Sequence, residues 1–63
     1  MIYHLTLWDF ECTMRKPEEI RFWIENEIGD HDGKSARAEE WCSNASAGDV
    51  YDDEMVHIEV KEG

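Results

Sequence analysis

The sequence predicts a single α+β domain spanning residues 1–63, in the order β-α-α-β, with one extra short strand as an alternative. Three observations support this fold class. One segment is rich in aromatic and aliphatic residues, another alternates apolar and polar residues, and two segments between them repeat apolar residues at helical spacing. Both helices are then expected to pack on one face of a two- or three-stranded sheet.

The first predicted element is a strand at residues 2–10, IYHLTLWDF, which contains no Gly or Pro. Because side chains alternate along a strand, Tyr3, Leu5 and Leu7 are expected on the face that the helices cover. The opposite face is expected to carry His4, Thr6, Trp8, Phe10, Met55 and His57. Residues 11–16 are expected to connect this strand to the first helix.

The first helix is expected to begin at Pro17, whose missing N–H is not needed in the first helical turn. Its apolar stripe consists of Ile20, Trp23, Ile24 and Ile28. Gly29 is expected to end the helix. Phe22 points away from the stripe, between Glu18 and Glu25, so the sequence predicts an exposed aromatic residue beside two carboxylates.

The second half of the chain predicts a turn at residues 30–34, a helix capped by Ser35 that ends near Asn44, and an acidic loop. Residues 55–61, MVHIEVK, alternate cleanly and predict a half-buried strand. The extra strand falls at Val50–Tyr51. The acidic loop before the last strand contains Asp49, Asp52, Asp53 and Glu54.

The charge is strongly negative and unevenly distributed. The formal net charge is −10, with zero net charge in residues 1–16, −5 in residues 17–47 and −5 in residues 48–63. Binding to nucleic acid or to an anionic membrane uses Lys and Arg, which are scarce here, so we expect neither as a direct partner. The charge favours a larger protein with a basic surface.

Targeting and cysteine patterns indicate a cytoplasmic protein, of the source cell or of a host cell. Residues 1–14 have neither a basic n-region nor an apolar h-region, and no run is long enough to span a membrane. Cys12 and Cys42 are expected to be reduced, with a single Cys12–Cys42 disulfide as the alternative.

Metal and catalytic motifs are incomplete. Residues 30–33, Asp-His-Asp-Gly, followed by Glu39 resemble part of a calcium loop, but Ile28 stands where the first carboxylate ligand belongs. His4 and His57 are not part of a close ligand pair of the kind that zinc sites use. We therefore expect no metal, no cofactor and no catalysis, and a metal-binding module is the third-ranked hypothesis.

The leading hypothesis is a small protein-binding module that docks on a basic, nucleic-acid-binding surface of a larger protein and inhibits or modulates that protein. Its acidic side chains would imitate a phosphate backbone. The expected contact residues are Trp8, Phe10, Glu18, Phe22, Glu25, Asp49, Asp52, Asp53 and Glu54. In size and charge the chain is similar to small inhibitors from phages and mobile elements. The alternative is a structural or regulatory homodimer whose acid serves solubility alone.

Overall fold

The computed structural model describes residues 1–29 and 32–63, and it confirms the α+β class with both helices on one face of the sheet. The sheet is antiparallel, with four strands in the order β2-β1-β4-β3. The elements are β1 (Ile2–Leu7), β2 (Phe10–Met14), α1 (Pro17–Ile28), α2 (Lys34–Asn44), β3 (Val50–Asp53) and β4 (Val56–Lys61). The sheet is therefore larger than the two or three strands that the sequence predicts.

The predicted first strand is in fact a hairpin. β1 ends at Leu7, Trp8 and Asp9 form a two-residue turn, and Leu7 pairs with Phe10. The expected connection at residues 11–16 is thus wrong, since β2 occupies most of it. The sequence does not reveal this turn, because it contains no Gly or Asn, the residues that usually supply a positive φ there. Trp8 supplies it instead, with a φ of 53°.

The hairpin changes the face on which several side chains lie. Phe10 is the cross-strand partner of Leu7, so it lies on the helix-covered face, where its ring centroid is 5.5 Å from that of Trp23. Its predicted place on the opposite face is wrong. Trp8 and Met55 lie in turns rather than on either face.

α1 begins and ends where the sequence predicts. The Glu19 carboxylate accepts the backbone N–H of Lys16 at 3.2 Å, which closes the first turn. At the other end Gly29 has a φ of 78°, and its N–H donates to the Glu25 carbonyl at 3.1 Å. A residue with a side chain would be strained in this conformation, which explains why the helix ends at this glycine.

α2 begins two residues earlier than predicted, because Ser35 is not its cap. Gly33, with a φ of 71°, is the N-cap residue. Ser35 is fully buried, and its hydroxyl donates to the Glu25 carboxylate at 2.9 Å. The serine therefore joins the two helices. Of the predicted turn at residues 30–34, Asp30 and His31 lie outside the described residues.

The extra strand proposed as an alternative is present and is longer than expected. β3 covers Val50–Asp53 and pairs with β4 in a second hairpin, whose turn is Glu54–Met55. Glu54 has a φ of 47°, so this turn, like the first, places a residue with a side chain in the left-handed region.

The core lies between the sheet and the helices. Its buried apolar residues are Tyr3, Leu5, Leu7, Met14, Ile20, Ile24, Ala38, Cys42, Val56, Ile58 and Val60. The Tyr3 hydroxyl donates to the Cys42 carbonyl at 3.2 Å, which ties β1 to α2. Burial raises the pKa of the Cys42 thiol to about 12, so this cysteine acts as a packing residue. Cys12 and Cys42 are both free thiols.

The backbone at Trp8 allows a stability prediction. Glycine adopts a positive φ without the contact between Cβ and the carbonyl oxygen that costs an L-residue about 1–2 kcal/mol. Trp8→Gly is therefore expected to be more stable than Trp8→Ala, by about 1 kcal/mol after the greater chain entropy of glycine is subtracted. Both variants lose the same ring, so their urea unfolding midpoints isolate the backbone effect. Equal midpoints would show that Trp8 is not strained.

Candidate protein-binding surface

The two hairpin turns lie side by side at one end of the sheet. β1 and β4 are antiparallel neighbours with Thr6 opposite His57, so the turn that follows β1 lies beside the turn that precedes β4. We call the two turns together with Asp52 the hairpin end. It brings together Trp8, Asp9, Asp52, Glu54 and Met55. The Trp8 side chain is prominent here, since the residue is 75% exposed.

The three basic side chains of the helices contact carboxylates of the chain itself. Arg21 contacts Glu25 at 2.9 Å and Glu39 at 3.5 Å. Lys34, whose side chain is only 11% exposed, contacts Asp53 at 3.3 Å. Half of the six Lys and Arg residues, counting Arg37 as well, are therefore engaged with carboxylates of the chain itself.

Asp53 lies at the end of β3 rather than in the acidic loop that the sequence predicts. Its cross-strand partner is the buried Val56, so it points toward the helices, where Lys34 and Arg37 approach it at 3.3 and 3.8 Å. An acid bound by two cations within the chain presents little free charge to a partner. These contacts join the second hairpin to α2, and the role of Asp53 in partner binding stays a prediction.

The predicted acidic stripe on α1 is only partly available. Glu18 is exposed, and Phe22 is 60% exposed, as expected. Glu25, however, accepts hydrogen bonds from Arg21 and Ser35, both at 2.9 Å. Both bonds go to the same oxygen, Oε2, so the Glu25 charge is compensated by Arg21 while this oxygen links α1 to Ser35 of α2. The sequence could not indicate this, because the contact with Ser35 depends on how the helices pack.

Asp49 has a structural role in the loop before β3. Its carboxylate accepts the backbone N–H of Ser46 at 2.8 Å, and its own N–H donates to the Ser46 carbonyl at 3.0 Å. This pattern closes a tight turn ahead of the strand. Asp49 remains exposed, but its position is far from the hairpin end, at the opposite end of β3.

The uncovered face of the sheet carries alternating acids and histidines. We call it the open face; its residues are Ile2, His4, Thr6, Glu11, Thr13, Val50, Asp52, His57, Glu59 and Lys61. His57 lies 3.1 Å from Glu59 and 3.8 Å from Asp52. His4 lies 3.6 Å from Glu11. The contacts of Glu11 and Asp52 depend on β2 and on the full length of β3, which the sequence did not predict.

The His57 contact gives a pH prediction. A hydrogen bond from His57 lowers the pKa of Glu59 below its ordinary value of 4.5. Stability from a lowered carboxyl pKa is present above the ordinary value and is lost as the pH falls through the lowered one. Glu59→Gln should therefore reduce stability at neutral pH and flatten the loss of stability below pH 4.5. Thermal melts from neutral to acid pH test this, with the exposed Glu62→Gln as the control. Parallel curves for the wild type and Glu59→Gln would contradict the prediction.

Within residues 1–29 and 32–63, no three His, Cys, Asp or Glu side chains are arranged to hold a metal ion, and these residues enclose no pocket. Two residues of the candidate calcium loop, Asp30 and His31, lie outside the described ranges. The described helices are all too short and too polar to cross a membrane.

Comparison with known proteins adds no relative. The chain matches no family model, no curated protein and no solved structure.

Proposed function

We propose that this protein is a non-catalytic binding module that docks on a basic surface of a larger protein through the hairpin end and the adjoining open face. The carboxylates of this surface would steer association with the partner, and Trp8 would supply the apolar contact. Charged groups of opposite sign mainly accelerate association and select the partner, whereas buried aromatic anchors hold the complex together.

One observation carries the proposal: acidic side chains without a Lys or Arg partner among the ion pairs of the described residues gather beside an exposed tryptophan at the hairpin end. The ion pairs of Arg21, Lys34 and Arg37 all lie in the helix layer or between it and β3. Asp9 and Glu54 project from the turns beside an exposed tryptophan, and Asp52 contacts only a histidine among the ion pairs of the described residues. Solubility alone would not require an exposed tryptophan beside these carboxylates.

Trp8 adds support because its conformation is unfavourable for a bulky residue. A positive φ costs an L-residue about 1–2 kcal/mol, and strained backbone conformations cluster at ligand-binding and active sites. At 75% exposure, the ring gains little from burial within the chain. Contact with a partner would offset the strain that the folded protein carries alone.

In its more specific form, the proposal is that the docked surface normally binds nucleic acid and that the carboxylates of the hairpin end imitate phosphates. Lys and Arg side chains that neutralise phosphates can equally pair with carboxylates. Such a protein would act as an inhibitor of the type found in phages and mobile elements. With Glu25 and Asp53 engaged internally, Asp9, Asp52 and Glu54 are the better candidates for this role.

A competition experiment tests this. The immobilised protein would be used to capture a partner at low salt, and the purified partner would then be titrated with labelled duplex DNA or RNA in the presence of the free module. We expect the module to displace the nucleic acid at a concentration close to its own Kd for the partner. Simultaneous binding of module and nucleic acid would contradict phosphate imitation, and failure to bind any basic protein would contradict the function itself.

A homodimer is the second candidate, because β2 and β3 are edge strands with backbone groups available for pairing. Val50, at 57% exposure, adds an apolar side chain to the β3 edge. The net charge of −10 opposes self-association, so a dimer would be more stable at high salt. Sedimentation over a range of protein and salt concentrations decides between the candidates: a strict monomer excludes the homodimer.

A further inference from the structure

β2 is an edge strand with α1 alongside it. A two-residue hairpin loop is closed by a hydrogen-bonded pair, here Leu7 and Phe10, and such pairs alternate along an antiparallel ladder. The backbone groups of Glu11 and Thr13 therefore point away from β1. They form an open edge on which another strand could pair.

Aromatic side chains line the helix side of this edge. The ring of Trp23 lies 5.5 Å from that of Phe10 and 5.4 Å from that of Phe22. The last of these rings belongs to a residue that is 60% exposed. The row thus leads from Phe10 on β2, through Trp23, to the exposed Phe22 on α1.

Carboxylates flank the aromatic row on both sides. Glu19 and Glu27 lie four residues before and after Trp23, which is about 6 Å in each direction along the helix axis. Both are close enough to Cys12, on the helix face of β2, to contribute to its raised pKa after the larger effect of burial. On the other face of β2, the Glu11 side chain is 67% exposed. The β2 edge is therefore apolar in the middle and acidic around it.

We propose that the β2 edge accepts an extended cationic segment of the partner as a fifth strand of the sheet. The segment would place an apolar side chain against Trp23 and Phe22, and a basic side chain two residues away in each direction. Alternate residues of a strand are about 6.8 Å apart, which fits the spacing of Glu19, Trp23 and Glu27 along the helix. This inference rests on the proposed function and names the part of the partner that binds.

Charge selects this occupant over a second copy of the chain. A second copy would bring its own net charge of −10 against Glu11, Glu19 and Glu27. Like charges brought together at an interface cost several kcal/mol. A basic segment is instead attracted by the same three carboxylates, so its charge favours binding at this edge.

Hydrogen exchange gives the direct test. The probe is a short capped peptide with lysine, threonine, valine, threonine and lysine in succession, compared with a scrambled peptide of the same composition. At low salt the unscrambled peptide is expected to slow hydrogen exchange at the backbone amides of Glu11 and Thr13 in the isotopically labelled protein. The scrambled peptide is expected to have a smaller effect. Unchanged exchange at both amides with saturating peptide would overturn the inference. So would protection that rises with protein concentration in the absence of peptide, because a second copy would then hold the edge.

Two proline variants test the same edge. Thr13→Pro removes an outward N–H from β2, and Val50→Pro removes the equivalent outward N–H from β3, the other edge. Thr13→Pro is expected to weaken peptide binding about tenfold, roughly the value of one or two backbone hydrogen bonds, whereas Val50→Pro should leave it within about twofold. Circular dichroism establishes that each variant is folded. Equal binding by the two variants would overturn the inference, and the exchange measurement on the wild type decides if either fails to fold.

A charge pair separates this inference from the proposed function. Glu27→Lys and Glu40→Lys change the net charge equally, but Glu40 lies on α2, away from the β2 edge. Glu27→Lys is expected to weaken peptide binding at least about fivefold more than Glu40→Lys. If both variants weaken peptide binding equally and binding still falls as salt rises, the edge site is overturned. The proposed function as an acidic binding module would be unaffected by that result. No binding of the peptide at low salt would overturn the edge site, while the competition experiment would still decide the function.

Discussion

Replacing Ile24 by alanine is expected to lower the free energy of unfolding by about 2–5 kcal/mol, the range measured for large-to-small changes in protein cores. Ile24 is completely buried in the core between α1 and the sheet. A domain of this length has a total stability of roughly 3–9 kcal/mol. The substitution therefore removes a large part of the stability and is expected to leave a substantial unfolded fraction at room temperature.

Phe22→Ala is the matched control for Ile24→Ala. Phe22 lies on the same helix and has a larger side chain, but it is 60% exposed and contacts Trp23 edge to face. Its removal should cost no more than about 1 kcal/mol, the size of one aromatic contact. Urea unfolding of both variants compares the two effects. A larger loss from Phe22→Ala than from Ile24→Ala would mean that the core is assigned to the wrong face of α1.

Reversing two charges at the hairpin end is expected to abolish detectable partner binding. Asp52→Lys combined with Glu54→Lys places positive charge against the partner's basic surface, and like charges in contact cost several kcal/mol. We expect an affinity loss of about a hundredfold or more at low salt. Neither side chain belongs to the core, so the fold should persist, and calorimetric titration against the purified partner measures the loss.

The control for this variant carries the same change of net charge elsewhere. Glu40→Lys combined with Glu62→Lys alters exposed side chains on α2 and near the last described residue. It is expected to weaken binding only through long-range attraction, which salt screens. If the two double variants bind equally, the hairpin end is not the contact surface, and the acid acts only through the total charge.

The parts of the fold that depend on local signals were predictable. Pro17 and Gly29 mark the ends of α1 because their backbone preferences act on their own, without tertiary contacts. The clean alternation around Ile58 likewise placed β4 to within a residue of its start. Helices on one face followed from the apolar faces of these same elements.

The first hairpin was not predictable, because its turn violates the usual residue preference. Trp8 holds a positive φ that sequence rules reserve for Gly, Asn or Asp. Without this turn, the sequence prediction places Phe10 on the wrong face of the sheet. It also lacks β2 and therefore the open edge of the sheet. A weaker signal was present in the sequence: polar and apolar residues alternate from Phe10 to Met14, which fits a second strand.

The candidate surface was only partly predictable, because charge compensation is a tertiary property. Asp52 and Asp53 are adjacent and chemically identical, yet one faces solvent and the other lies between Lys34 and Arg37. Strand alternation explains the difference once β3 is known to extend this far. Glu25 is a similar case, because its hydrogen bond from Ser35 forms only when the two helices pack together.

The measurement that tests the central claim most directly is the association rate of the module with its purified partner as a function of ionic strength. Electrostatic steering should make this rate fall by at least about tenfold between about 0.01 M and about 1 M salt, with a much smaller change in the dissociation rate. The variant Asp52→Asn with Glu54→Gln should show a shallower dependence. An association rate that is independent of salt, and equal in the wild type and this variant, would contradict recognition of the acid by a partner.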